Sequence, residues 1–144
     1  MDVEQCSRDG CEGRLERRDY TARRKVAGQR FEVPSEVLVC PECGREVISY
    51  KEAHRVSLAV AEQLARHGPL SSAAFRHMRR ALKLTGRQLA EVLGVAPETI
   101  SRWEHEQQAI PASAVLLLGT IVLEALEDEE GRSETFERAT RLVA

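Results

Sequence analysis

The chain has 144 residues, of which 42% are hydrophobic and 31% are charged, with a formal net charge of −2. These values are typical of a globular protein with one moderate core or two small domains, and the net charge alone does not indicate a nucleic-acid partner. No stretch resembles a signal peptide, and the longest apolar run, 112–123, is shorter than the roughly 20 residues that cross a bilayer. We therefore expect a cytoplasmic protein without a membrane partner.

All four cysteines lie in the first third of the chain, with Cys6 close to Cys11 and Cys40 close to Cys43. Two close pairs separated by a loop suit tetrahedral zinc, because each short turn directs two thiolates at one ion. We predict one structural zinc ion per chain, bound by all four thiolates. A redox dithiol would need a βαβ setting that the sequence does not show, and unligated thiols are the other alternative.

Apolar and charged residues alternate between the two cysteine pairs, over residues 15–39. This pattern predicts two or three short antiparallel strands with a turn near residues 27–29. Such a core is so small that a metal is expected to supply the missing folding free energy, which makes residues 1–50 a zinc-ribbon domain. The basic residues of these strands fit either a partner surface or charged protection of the sheet edges. They are Arg17, Arg18, Arg23, Arg24, Lys25 and Arg30.

Apolar residues at helical spacing predict a helix over 51–67, and Gly68 followed by Pro69 is a strong stop signal. We place a domain boundary there, so that residues 51–68 form a connecting helix and residues 69–144 form the last domain. Ser71 or Ser72 is expected to cap the next helix.

Two short helices joined by a turn are predicted from Thr85 onward. Thr85 and Gln88 have the spacing of a capping box, and Gly94 can take the left-handed conformation that ends a helix. Pro97 suits the first position of the second helix, because its missing N–H would have no partner there. Ile100 and Trp103, three residues apart, are expected to face inward. The segment therefore has the form of a helix-turn-helix, which reads DNA.

The outward side of the second helix is expected to meet base edges and phosphates. Arg102 can bind guanine through two hydrogen bonds, although a solvated or Glu-paired surface arginine is the alternative. Six basic side chains stand against four acidic ones over residues 71–110, and three against seven after residue 110, so positive charge is expected on the helix-turn-helix side. The candidate DNA-contacting residues are Arg87, Gln88, Pro97, Glu98, Thr99, Ser101 and Arg102.

Pro111 begins a helix that is apolar nearly all round. The surplus of apolar side chains predicts a surface for self-association, and dimers of such proteins place their recognition helices roughly 34 Å apart. Burial within one chain, beneath a further helix over 133–143, is the competing interpretation. The candidate dimer residues are Leu116, Leu117, Ile121 and Leu123.

The residues from Phe75 to Pro111 resemble the Xre or lambda-repressor-like helix-turn-helix family. The resemblance rests on Leu-Thr-Gly-Arg-Gln-Leu-Ala-Glu-Val-Leu-Gly-Val from Leu84 and on Ile-Ser-Arg-Trp-Glu from Ile100. It implies a mainly α fold, in which a five-helix DNA-binding domain follows the small β zinc-ribbon and the connecting helix. Ala96 stands where the family usually has Ser or Thr, and such a lost cap typically costs about 1 kcal/mol.

The order of the two halves resembles the MqsA-type antitoxins, which have a YgiT-type zinc finger before an Xre-type domain. The resemblance implies a dimeric repressor of its own operon, with a zinc half that binds a ribonuclease toxin and with no enzymatic activity of its own. Glu98 stands where that family has Asn, so a different operator is expected, because Glu accepts from cytosine whereas Asn pairs with adenine. The alternatives are a stand-alone regulator without a toxin and, from another class, a thiol oxidoreductase.

Overall fold

The computed structural model describes residues 4–127 as an N-terminal antiparallel sheet followed by five helices. The strands are β1 (Glu16–Val26), β2 (Gln29–Val39) and β3 (Glu46–Val47), and the helices are α1 (Tyr50–His67), α2 (Ser72–Ala81), α3 (Gly86–Leu93), α4 (Pro97–Glu104) and α5 (Ala112–Glu127). Within residues 4–127, no helix combines the length and the apolar character that crossing a membrane requires. The helix expected over 133–143 lies outside the described residues.

β1 and β2 form one long hairpin, paired from Glu16 opposite Val39 to Val26 opposite Gln29. The two residues of its turn, Ala27 and Gly28, have φ of 53° and 76°, as a type I′ turn requires. The predicted turn is confirmed, but each strand has 11 residues and is not short. The prediction was wrong on length because the alternation of apolar residues breaks down along β1, where charged side chains occupy both faces.

The helix boundaries follow the local signals of the sequence. Ser49 caps α1, Ser71 caps α2, and Thr85 forms the predicted capping box with Gln88 at the start of α3. α4 begins at Pro97 after Ala96, which provides no side-chain cap. The start of α4 therefore depends on proline and on packing.

The main hydrophobic core joins all five helices to the closed end of the hairpin. Val60 of α1 is fully buried in this core, as are Phe75 of α2 and Leu118 of α5, while Ala22 and Val33 enter it from the hairpin. The helix predicted as a connector is therefore one wall of the core that it shares with α2 and α5. Gly68 and Pro69 mark a turn of the chain between α1 and α2, and packing continues across that turn.

A polar contact on the solvent side fixes the hairpin to α1. The Glu52 carboxylate accepts hydrogen bonds from the Ser35 hydroxyl at 2.7 Å and the Glu36 backbone N–H at 3.2 Å, and it pairs with Arg55. Arg55 also donates to the Pro34 carbonyl oxygen. The Arg55 guanidinium, followed by the Ser35 hydroxyl, lowers the pKa of Glu52 to about 2.

We expect acid to weaken this contact. Because the pKa of Glu52 is lower in the folded than in the unfolded chain, its contribution to stability is complete above about pH 4.5 and is lost as the pH falls toward about 2. In the Glu52→Gln variant, the free energy of unfolding should be lower at neutral pH and should change less over that interval. Urea unfolding at a series of pH values measures this, and an equal pH dependence in both proteins would contradict it.

Candidate metal centre and nucleic-acid interface

The four cysteines converge at the open end of the hairpin. Their sulfur atoms all lie within 4.8 Å of one another, with Cys6 Sγ 3.7 Å from Cys43 Sγ and Cys11 Sγ 3.5 Å from Cys40 Sγ. A zinc ion with Zn–S distances of about 2.3 Å places its tetrahedral ligands about 3.8 Å apart. The predicted grouping is confirmed, and its spacing fits one tetrahedral ion.

Backbone hydrogen bonds shape both turns that carry the cysteines. The Gly44 N–H donates to the Cys40 carbonyl oxygen at 2.8 Å, and the Cys6 N–H donates to the Gly13 carbonyl oxygen at 2.9 Å. Gly13 also lets the two turns approach each other, because a Cβ atom at this position would lie 2.6 Å from Cys40 Sγ. Cys6 and Cys11 are farther apart in the sequence than Cys40 and Cys43. Gly13 closes the longer turn that carries them, a role that the sequence did not reveal.

The thiols differ in acidity. A hydrogen bond from the Arg45 backbone lowers the pKa of Cys43 to about 6. The Gly13 backbone lowers the pKa of Cys11, but the neighbouring Cys40 and burial outweigh it and raise that pKa to about 12. Four crowded thiolates repel one another, so they cannot all be negatively charged without a cation. A zinc ion would supply the positive charge and displace the thiol protons.

Four thiolates complete a tetrahedral coordination sphere. Such a site leaves no open position for water or substrate, which is typical of structural zinc. The apolar support around these sulfurs is small: Leu15 is buried beside Cys6 and Cys40, and Leu38 and Val47 pack against this cluster. The cysteines therefore fit a structural metal ion that holds the open end of the hairpin together.

α3 and α4 form the predicted pair of helices around a tight turn. Gly94 ends α3 in the left-handed conformation, with φ of 69°. Ile100 is 1% and Trp103 5% exposed, and the Trp103 ring meets Phe75 edge to face at a centroid distance of 6.1 Å. α4 is thus anchored from behind by these two side chains, as the sequence predicted.

Most candidate DNA-contacting residues are exposed on α3 and α4. Arg87, Glu98, Ser101 and Arg102 are exposed, and no ion pair holds Arg102 in place among residues 4–127. Gln88 and Pro97 are also exposed, whereas Thr99 is half-buried. The Gln88 side-chain oxygen accepts a hydrogen bond from the Thr85 N–H, so its amide NH₂ is the group left for a ligand.

An ion pair that the sequence analysis missed joins α2 to the end of α4. Arg79 donates to both carboxylate oxygens of Glu104 at 2.7 Å and to the Leu84 carbonyl oxygen at 2.8 Å. The side chains of Arg79 and Glu104 are only 15% and 5% exposed. Arg79, which counted toward the positive surface charge in the sequence, is therefore neutralised inside the domain.

The candidate dimer residues on α5 separate into two groups. Leu116 is 57% and Leu117 39% exposed, and Leu123 is half-buried. Ile121 is only 1% exposed, so it cannot form part of a surface for a partner. The apolar pattern could not distinguish these positions, because α5 is apolar nearly all round.

α3 and α4, joined by a tight turn and packed in one core with α2 and α5, have the form of a helix-turn-helix, a domain typical of DNA-binding regulators. A family model described as helix-turn-helix, HTH_3, matches residues 75–118, which run from α2 into α5. No curated protein matches the chain. The chain thus contains an Xre-type helix-turn-helix domain, which follows a three-stranded sheet with a cluster of four cysteines that could hold a metal ion such as zinc.

Proposed function

We propose that the protein is a dimeric, sequence-specific transcriptional repressor, and that it acts as the antitoxin of a toxin–antitoxin module. Its helix-turn-helix domain binds the operator of its own operon, and its zinc-bound N-terminal part binds a ribonuclease toxin. The observation that carries the DNA-binding part is the geometry of α4. Exposed Arg102 and Glu98 project from a short helix whose other side is buried through Ile100 and Trp103.

The role of α4 follows from its chemistry. Its outward residues include an arginine, whose planar guanidinium can donate two hydrogen bonds to guanine O6 and N7, and a glutamate, which can accept from the cytosine amino group. The N-terminal end of α3 adds Arg87, a cation suited to a backbone phosphate. Base contacts supply the specificity and phosphate contacts fix the register.

The surface of α5 supports the dimeric part of the proposal. Leu116 and Leu117 are exposed next to each other, and Leu126 is a further exposed leucine of the same helix, 38% exposed. The adjacent pair Leu116 and Leu117 is the exposed apolar surface that supports association, because contiguous exposed apolar side chains are typical of such surfaces. In a twofold dimer, two copies of α4 meet successive turns of the DNA.

The antitoxin part of the proposal rests on the order of the two halves of the chain. Whether a toxin binds the protein is the test of this part. A four-cysteine unit placed before an Xre-type domain is the order that resembles the MqsA-type antitoxins. A tagged full-length chain, isolated from its native host with its zinc retained, should copurify with a small ribonuclease. Purification of the chain with operator DNA but without any ribonuclease would instead identify a stand-alone regulator.

DNA reading by Arg102 is tested with an operator selected from genomic fragments. We expect Arg102→Ala to weaken operator binding by about 1–3 kcal/mol and to relax the preference at one base pair, because the bidentate contact is lost. Fluorescence anisotropy on the operator and on single-base-pair variants, at fixed ionic strength, measures both effects.

Arg66→Ala is the matched control, because Arg66 is also an exposed helical arginine but lies on α1, paired with Glu62. Operator affinity should be unchanged in this variant. A loss of affinity in Arg102→Ala that is equal for all DNA sequences would show that Arg102 contacts phosphate and reads no base. The absence of any preferred sequence for the unaltered protein would contradict the DNA-reading role altogether.

A further inference from the structure

A cleft of about 520 Å³ lies between the closed end of the hairpin, one side of α2 and the end of α4. Val26 forms its hairpin side, and Glu104, His105 and Glu106 form its α4 side. Its remaining wall belongs to α2 and consists of Ser72, Ala73, Arg76, His77 and Arg80. Cavities of a few hundred Å³ accommodate small-molecule ligands.

Arg76 and Arg80 give this cleft its chemical character. They lie one helical turn apart, at spacing i and i+4, where two like charges repel each other. Among residues 4–127, no carboxylate and no carbonyl oxygen pairs with either guanidinium. An anion bound between the two guanidinium groups would remove this repulsion. The N–H donors of a guanidinium match the geometry of phosphate oxygens.

The acidic groups around the cleft cancel only part of this charge. Both oxygens of the Glu104 carboxylate are already hydrogen-bonded to Arg79, so Glu104 forms a neutral pair with it. Glu106 is exposed and is the one acidic lining residue that no described cation pairs with. α2 has no acidic residue in its first turn, so no carboxylate at that end of the helix offsets the two arginines.

The histidine of α2 adds an uncharged polar group. His77 Nε2 lies 3.1 Å from the Ser57 carbonyl oxygen, and because a carbonyl only accepts, Nε2 carries the proton. Burial lowers the pKa of His77, with the nearby Arg80 contributing in the same direction, so the ring is neutral at physiological pH. Its Nδ1 therefore carries a lone pair that can accept a hydrogen bond.

From these observations we infer that the cleft is a binding site for a small phosphate monoester. Arg76 and Arg80 bind the phosphate group, while Val26 and Ala73 provide apolar surface for the organic part of the ligand. The site goes beyond the proposed function, and its lining includes none of the candidate DNA-contacting residues. It is also built from both halves of the chain, so a bound ligand would connect the hairpin to the helix-turn-helix domain.

Titration calorimetry of the zinc-loaded full-length protein, without DNA, tests the site. The probes are adenosine 5′-monophosphate and inorganic phosphate, with adenosine and with sodium chloride of matched ionic strength as references. We expect saturable binding of one adenosine 5′-monophosphate per chain and no binding of adenosine. Arg76→Gln and Arg80→Gln should each weaken binding at least about tenfold, because each removes a charged hydrogen-bond donor.

Two control variants locate the binding. Arg66→Gln on α1 and Arg102→Gln on the DNA-contacting side of α4 should bind the probe as the unaltered protein does. Should a variant fold poorly, the unaltered protein still locates the binding. Adenosine 5′-monophosphate should then shift the amide resonances of Ser72 and Ala73. Absence of saturable binding at millimolar concentrations, or weakening by Arg102→Gln but not by Arg76→Gln, would overturn the site. Neither result would bear on operator binding, which is measured separately.

Discussion

Replacing Cys40 with Ser should abolish stoichiometric zinc binding and unfold the part of the chain around the cysteines. The described apolar cluster there is small, and zinc binding to comparable small units supplies about 10–16 kcal/mol. Metal analysis by mass spectrometry should find less than one zinc per chain. Hydrogen exchange should show lost protection over residues 4–15 and 40–47, with protection retained in α3 and α4.

The structure limits how far this unfolding spreads. Ala22 and Val33 belong to the main core, so the closed end of the hairpin should remain protected in Cys40→Ser. Glu42→Gln is the matched control, because Glu42 is exposed within the same turn and offers no thiolate. Zinc retained by Cys40→Ser at unchanged affinity would contradict a four-thiolate site, and unfolding of α3 and α4 would contradict the separation of the two cores.

Glu104→Gln should lower the free energy of unfolding by about 3–5 kcal/mol, because it leaves the buried Arg79 guanidinium without its counterion. Operator binding should fall with it if α4 loses its position, since Glu104 is the last residue of α4. Chemical unfolding followed by the fluorescence of Trp103, which is the single tryptophan, measures the effect directly.

Glu62→Gln provides the comparison for this ion pair. Glu62 pairs with Arg66 at 3.3 Å, but these side chains are 36% and 52% exposed, and exposed pairs contribute at most about 1 kcal/mol. The two glutamate variants make the same chemical change at different depths. Equal losses of unfolding free energy in both variants would show that burial does not increase the contribution of the Arg79–Glu104 pair to stability.

Local signals explain what the sequence predicted correctly. Thr85, Gln88 and Gly94 act on backbone groups within a few residues, so their effects on α3 do not depend on the rest of the fold. The grouping of the cysteines could be predicted for a related reason, because two short turns each bring a pair together. The outward-facing positions of α4 followed from helical periodicity once α4 was placed, and their contact with DNA stays a prediction.

Contacts between distant segments explain what was missed. Arg79 and Glu104 are 25 positions apart, and nothing near either residue indicates its partner. The burial of Ile121 depends on how α5 lies in the fold, which a helix apolar nearly all round does not encode. The inclusion of α1 in the main core was hidden for the same reason, since an amphipathic helix fits both a connector and a core wall.

The long hairpin is also a mechanical element. Eleven residues per strand span roughly 35 Å. The cysteines lie at the open end of the hairpin, and the helices pack against its closed end. Because Ser35 and Glu36, partway along β2, are hydrogen-bonded to Glu52, a load applied at the cysteines reaches α1 through this contact. A macromolecule bound at the cysteine turns would thus act on the position of α1 without touching the helix.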